Sequence, residues 1–136
     1  MPKPKLKAFT LIELLVVIVI IGILATLIIV NVSKARKKAR LSDLQSAAKN
    51  IATAAATYSV DHESTSCISV GTLVSQGLIS NPSGYVIQST TSCGSSTPIA
   101  ISDGNVRFKI KSTKLGECWI TVTNGALGSP SGSACP

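Results

Sequence analysis

The chain has 136 residues, with 13 basic and six acidic side chains and a formal net charge of +7. Only 4% of it is aromatic, and much of its hydropathy lies near the N-terminus, so one small domain core is all that remains beyond that region. A single histidine, no close cysteine pair, scattered carboxylates and no nucleotide-binding glycine loop offer no constellation for catalysis or metal binding, so neither an enzyme nor a cofactor is expected.

Met1 to Ala8 is a short tail carrying Lys3, Lys5 and Lys7. From Leu11 to Val30 there follow 20 residues with one charge, Glu13. At a rise of about 1.5 Å per residue such a helix spans roughly 30 Å, the hydrocarbon thickness of a bilayer. Gly22 and Thr26 are the soft interruptions after Glu13, and no proline occurs between Pro4 and Pro82. The run is too long for the core of a secretory signal peptide, and no small-x-small cleavage site ends it. A carboxylate inside such a segment is costly unless it is neutralised, which marks Glu13 as a functional candidate. A plainer role is to complement the positive end of the helix dipole.

Between the apolar run and the next helical pattern, five of the seven residues from Lys34 to Arg40 are basic: Lys34, Arg36, Lys37, Lys38 and Arg40. This collar reads first as a contact for lipid headgroups, then as a partner for acidic groups on neighbouring subunits, and third as a DNA-phosphate site. Leu41, Leu44, Ala48, Ile51, Ala55 and Tyr58 then recur at three- and four-residue steps, forming one helical face. Lys49 and Asn50 lie off it. A helix from Phe9 to about Val60 would be roughly 80 Å long, apolar all round in its first half and amphipathic in its second. The pattern fades at Asp61-His62-Glu63, where His62 reads as a solvated helix-end residue.

The remaining sequence is strand-like. Thr72 to Ile79 suggests a short helix or turn closed by Asn81-Pro82. Tyr85–Gln88, Ile99–Ile101, Val106–Lys111 and Trp119–Thr123 read as strands. The third is clearest, because Val106, Phe108 and Ile110 alternate with Arg107, Lys109 and Lys111. Asp103-Gly104-Asn105 is a hairpin turn signal. An antiparallel sheet of three or four strands is expected, with one face packed on the long helix: an α+β fold. Asp43, Asp61, Glu63, Asp103 and Glu117 read as solvated. Cys67, Cys93, Cys118 and Cys135 all lie beyond the helix, and their even number favours two disulfides among three possible connectivities.

Lys3, Lys5 and Lys7 leading into Ala8, then Phe9-Thr10-Leu11-Ile12-Glu13-Leu14-Leu15, resemble the leader and N-terminal segment of type IV pilins and pseudopilins. The resemblance implies cleavage by a prepilin peptidase between Ala8 and Phe9, where the family usually has Gly before the cut. It implies N-methylation of Phe9 and pairing of its new amine with Glu13 across neighbouring subunits. It also implies an N-inside orientation, which charge alone would not have indicated because the collar outweighs the leader lysines. The chain then divides into a leader (1–8), a transmembrane or filament-core helix (9–32), an amphipathic helix of the head (33–62) and a loop and sheet (63–136). We favour the pairing Cys67–Cys93 with Cys118–Cys135, the second resembling the C-terminal disulfide loop of many type IV pilins. The leading function is a structural subunit of a helical homo-oligomeric filament, held in the membrane before assembly and driven by a separate ATPase and platform proteins. Alternatives are a pseudopilin of a secretion or DNA-uptake machine, or a membrane-anchored binding domain that never polymerises. Many pilins carry proline at the position of Val30; its absence here predicts a more continuous helix, with any weak point near Gly22.

Overall fold

The computed structural model describes residues 9–62, 66–90, 93–94, 96–102 and 105–136, with Val30 by its backbone alone. The leader and Ala8, together with Glu63 and the Asp103-Gly104 turn, lie outside the described residues. The chain forms two compact units, one ending at Arg36 and the other running Lys37–Pro136.

Helix α1 covers Leu11–Asp61 without a break at Gly22 or Val30. In the first unit its large apolar side chains from Leu11 to Ile29 are all exposed, none below 47%. The helix crosses into the second unit, where Leu44, Ala48, Ile51 and Ala55 are buried, while Lys49 and Asn50 stay exposed. Ala52 and Ala54 are buried as well, so the packed stripe is wider than the spacing alone suggested. Small alanines at these positions let the sheet approach the helix closely.

That sheet is antiparallel throughout. Its strands are β1 (Cys67–Ile68), β2 (Tyr85–Gln88), β3 (Ile99–Ser102), β4 (Asn105–Ser112), β5 (Trp119–Thr123) and β6 (Ala126–Leu127). They run in the order β1-β3-β4-β5-β6, and β2 pairs with β4 as well. Strand β4 is the organiser: it pairs with β3 through Asn105–Arg107 and with β2 through Lys109–Ser112, while β5 lines its other side. Val106, Phe108, Ile110 and Ser112 point into the core, and Arg107 and Lys109 face water. Phe108, Ile110, Ile120 and Val122 share one apolar cluster with Leu44, Ala48 and Ile51 of the helix. Burying Phe108 completely contributes about 2–3 kcal/mol.

The expected sheet of three or four strands has six, because two two-residue strands join it. β1 pairs Cys67 with Ala100, and β6 follows β5 through Asn124-Gly125, both at positive φ. That Asn-Gly pair is a hairpin signal that the strand reading passed over. The short helix α2 covers Val70–Ser75 rather than beginning at Thr72. Ser69 caps it by accepting from the Thr72 N–H at 3.0 Å, and Gly77 at φ +70° follows its end. The expected β3–β4 turn lies outside the described residues, though Ser102 and Asn105 flank it as a pair.

Candidate functional site

The start of α1 is built by four residues, Thr10-Leu11-Ile12-Glu13. Thr10 stands at the N-cap and Glu13 three positions on. The Thr10 backbone N–H donates to Glu13 Oε2 at 3.0 Å, and the Thr10 hydroxyl donates to the same oxygen at 2.8 Å. In the other direction the Glu13 N–H donates to Thr10 Oγ1 at 3.4 Å. This is a reciprocal capping box, which satisfies backbone donors that a helix start otherwise leaves open. Glu13 is therefore not a bare charge: Oε2 is held locally, and Oε1 is left to meet another partner. Thr10 is the capping partner of Glu13 that the sequence reading missed, although the Thr-x-x-Glu pattern that signals it was present. Phe9, at the same end, is 78% exposed.

Downstream of this box lies the exposed apolar stretch. An uncovered surface of this length is not stable in water, so the helix requires lipid or other protein around it. It is long and apolar enough to cross a membrane.

The basic collar is exposed along its length and is divided between the units, Lys34 and Arg36 in the first and Lys37, Lys38 and Arg40 in the second. Arg40 donates from Nη1 to the Lys114 carbonyl at 3.1 Å, which ties the helix to the β4–β5 turn. One helical turn further on, Asp43 accepts from the Tyr85 hydroxyl at 2.7 Å. That bond, followed by partial burial and the negative charge of Asp43, pushes the tyrosine pKa up to about 12. On the neighbouring strands Lys111 pairs with Glu117 and lies 4.8 Å above the Trp119 ring, whose Nε1 donates to the same carboxylate at 3.1 Å. The Lys111 hydrogen bond, then the Trp119 one, holds the Glu117 carboxyl below the usual carboxylate range.

The cysteines pair Cys67 with Cys93 and Cys118 with Cys135. The second bridge closes a loop that leans on Gly132. A Cβ there would stand 1.8 Å from the Glu117 carbonyl oxygen, and its φ is +132°. Glycine is required at that approach. His62 stacks on Tyr58 with ring centroids 4.1 Å apart and meets the Tyr58 carbonyl through Nδ1, a helix-end contact. Among the described residues no group of His, Cys, Asp and Glu is placed to hold a metal.

Residues 4–29 match the model of the prokaryotic N-terminal methylation motif. The chain is 32% identical over 132 residues to the type IV wide pilus major component PilA4 of Thermus thermophilus, covering 96% of this chain and 97% of that protein. No solved structure matches it significantly.

Proposed function

Because this chain belongs to the type IV pilin family, we propose that it is synthesised as a membrane-held precursor, processed at its N-terminus, and polymerised into a pilus as that filament's major structural subunit. The observation that carries this reading is the exposed apolar helix with the Thr10–Glu13 box at its start. In the membrane, lipid covers the helix; in a filament, the helices of other copies replace the lipid. The relative's role as a major component supports the same reading for this chain.

Processing between Ala8 and Phe9 by a prepilin peptidase supplies what Glu13 lacks. The cut turns the Phe9 amide into an α-amino group, cationic near neutral pH, which is the substrate for N-methylation. The free Oε1 of Glu13 then accepts such an amine from a neighbouring copy while Thr10 keeps Oε2. In an apolar setting each charge alone is costly, so their pairing favours one axial register between subunits. A separate ATPase and platform proteins drive assembly. The sheet domain is displayed outside.

The test is to produce the chain in cells that supply a prepilin peptidase, an assembly ATPase and the platform proteins, and to examine it by mass spectrometry and electron microscopy. The expected product begins at methylated Phe9 and forms filaments, and Glu13→Ala abolishes filaments while leaving the head folded. Filaments from Glu13→Ala in wild-type amounts would overturn the assigned role of the carboxylate. A processed wild-type chain that stays monomeric would overturn the subunit reading.

A further inference from the structure

Two hydrogen bonds orient the head. Arg40 reaches the Lys114 carbonyl, and Tyr85 reaches Asp43, so the β4–β5 turn and the start of β2 lie beside the first helical turns of the Lys37–Pro136 unit. The register places Lys111 opposite Trp119 and Tyr85 opposite Ser112, which puts all of these residues at one end of the sheet. This end, the base of the head, combines Lys37, Lys38 and Arg40 from the helix with Lys114 from a turn some 74 residues away. All four are exposed, and among the described residues none of them forms an ion pair.

The acids at the same end are already engaged. Asp43 holds the Tyr85 hydroxyl, and Glu117 holds both Lys111 and the Trp119 indole. The fold thus pairs Glu117 with Lys111 and holds Asp43 against a neutral hydroxyl, so among the described residues the four cations at this end are opposed by the Asp43 charge alone. Lys37 also follows Val32, the end of the 9–32 segment, by only five residues, so whatever the conformation it lies within about 18 Å of that segment. A half-buried tryptophan beside a lysine, as Trp119 is beside Lys111, is the composition of a membrane interface.

From this we propose that the base of the head is a docking surface for an anionic bilayer, with Lys37, Lys38, Arg40 and Lys114 contacting lipid phosphates while the subunit waits in the membrane. The proposal rests on the membrane-held precursor reading. It assigns a tertiary partner, Lys114, to what is a local collar in sequence. Among the described residues Asp61, at the far end of the head's helical segment, is the one exposed side-chain carboxylate of the head that neither accepts a side-chain hydrogen bond nor forms an ion pair, so a second copy offers this base little complementary charge.

Trp119, the single tryptophan of the chain, is a built-in probe. The full chain is reconstituted in phosphatidylcholine vesicles with or without phosphatidylglycerol, each carrying a lipid spin-labelled at the headgroup. Quenching of Trp119 is expected to rise about two-fold with phosphatidylglycerol and to fall again with added salt. Lys114→Glu is expected to remove most of that rise, whereas Lys109→Glu, the same charge change on the outward face of β4, leaves it intact. Quenching indifferent to phosphatidylglycerol, or equally reduced by both substitutions, would overturn the proposal. So would a Trp119 response to added duplex DNA but not to lipid charge, which would assign the base to nucleic acid. Filament formation is scored separately, in cells that supply the peptidase, ATPase and platform proteins: a wild-type chain that docks on lipid but never polymerises there refutes the subunit reading alone.

Discussion

Tyr85→Phe removes one oxygen and with it the bond that ties β2 to the helix. The Tyr85 hydroxyl donates to Asp43 at 2.7 Å, and its proton is lost at about 12 rather than 10.0. That difference corresponds to at most about 2.7 kcal/mol of preferential binding of the proton in the folded state. Asp43 is exposed and Tyr85 only half-buried, so solvent screening brings the expected contribution to about 1 kcal/mol. For a domain of this size such a loss lowers the unfolding temperature by roughly 4–8 °C. The assay is thermal unfolding of the full chain in detergent micelles, followed by Trp119 fluorescence. Asp43→Ala should cost a similar amount, and the double variant should cost no more than either alone. The sign of the pH dependence follows from a raised pKa. Below about pH 10 the tyrosine is protonated in both states and the bond contributes fully. Between about 10 and 12 the unfolded chain ionises first, so the advantage of wild type over Tyr85→Phe shrinks and then vanishes. Additive losses in the double variant, or a gap unchanged across that window, would refute the reasoning.

Thr10→Val removes the side-chain half of the capping box and should cost about 1 kcal/mol at the first turn, while Thr10→Ser retains it. Amide exchange of Leu11 to Leu14 in micelles should accelerate about five-fold in the valine variant and stay unchanged in the serine one. Gly132→Ala, with its Cβ driven against the Glu117 carbonyl, should cost at least about 2 kcal/mol. Gly125→Ala, at φ +74° with open space around it, should cost about 1 kcal/mol by the same thermal assay, and equal losses would contradict the contact argument. Because the Glu117 pKa is depressed, its contribution is present above the ordinary carboxylate range and lost as pH falls below it. Acid titration of Trp119 fluorescence should therefore show a step below that range which is absent in Glu117→Gln.

Much of the fold is written in local periodicity. The 20-residue apolar run, the stripe from Leu41 to Tyr58 and the alternation along Val106–Lys111 are each legible because every residue reports on its own neighbours at helix or strand spacing. The same is true of Thr10 and of Asn124-Gly125: both were overlooked, yet both are short motifs readable without a structure. The two-residue strands β1 and β6 are different, since segments that short carry no period to read.

Phe9 to Glu13 and the apolar helix that follows are thus determined by sequence alone, because a membrane-length run with one carboxylate has few physical solutions. The branch by which β2 and β3 share one side of β4 was decided by tertiary structure. So were the engagement of Asp43 by Tyr85 and of Glu117 by Lys111, the crowding at Gly132, and the joining of Lys114 to the collar. Each depends on which distant segments meet once Phe108 and its neighbours bury themselves against the helix, and apolar burial has no sequence spacing of its own.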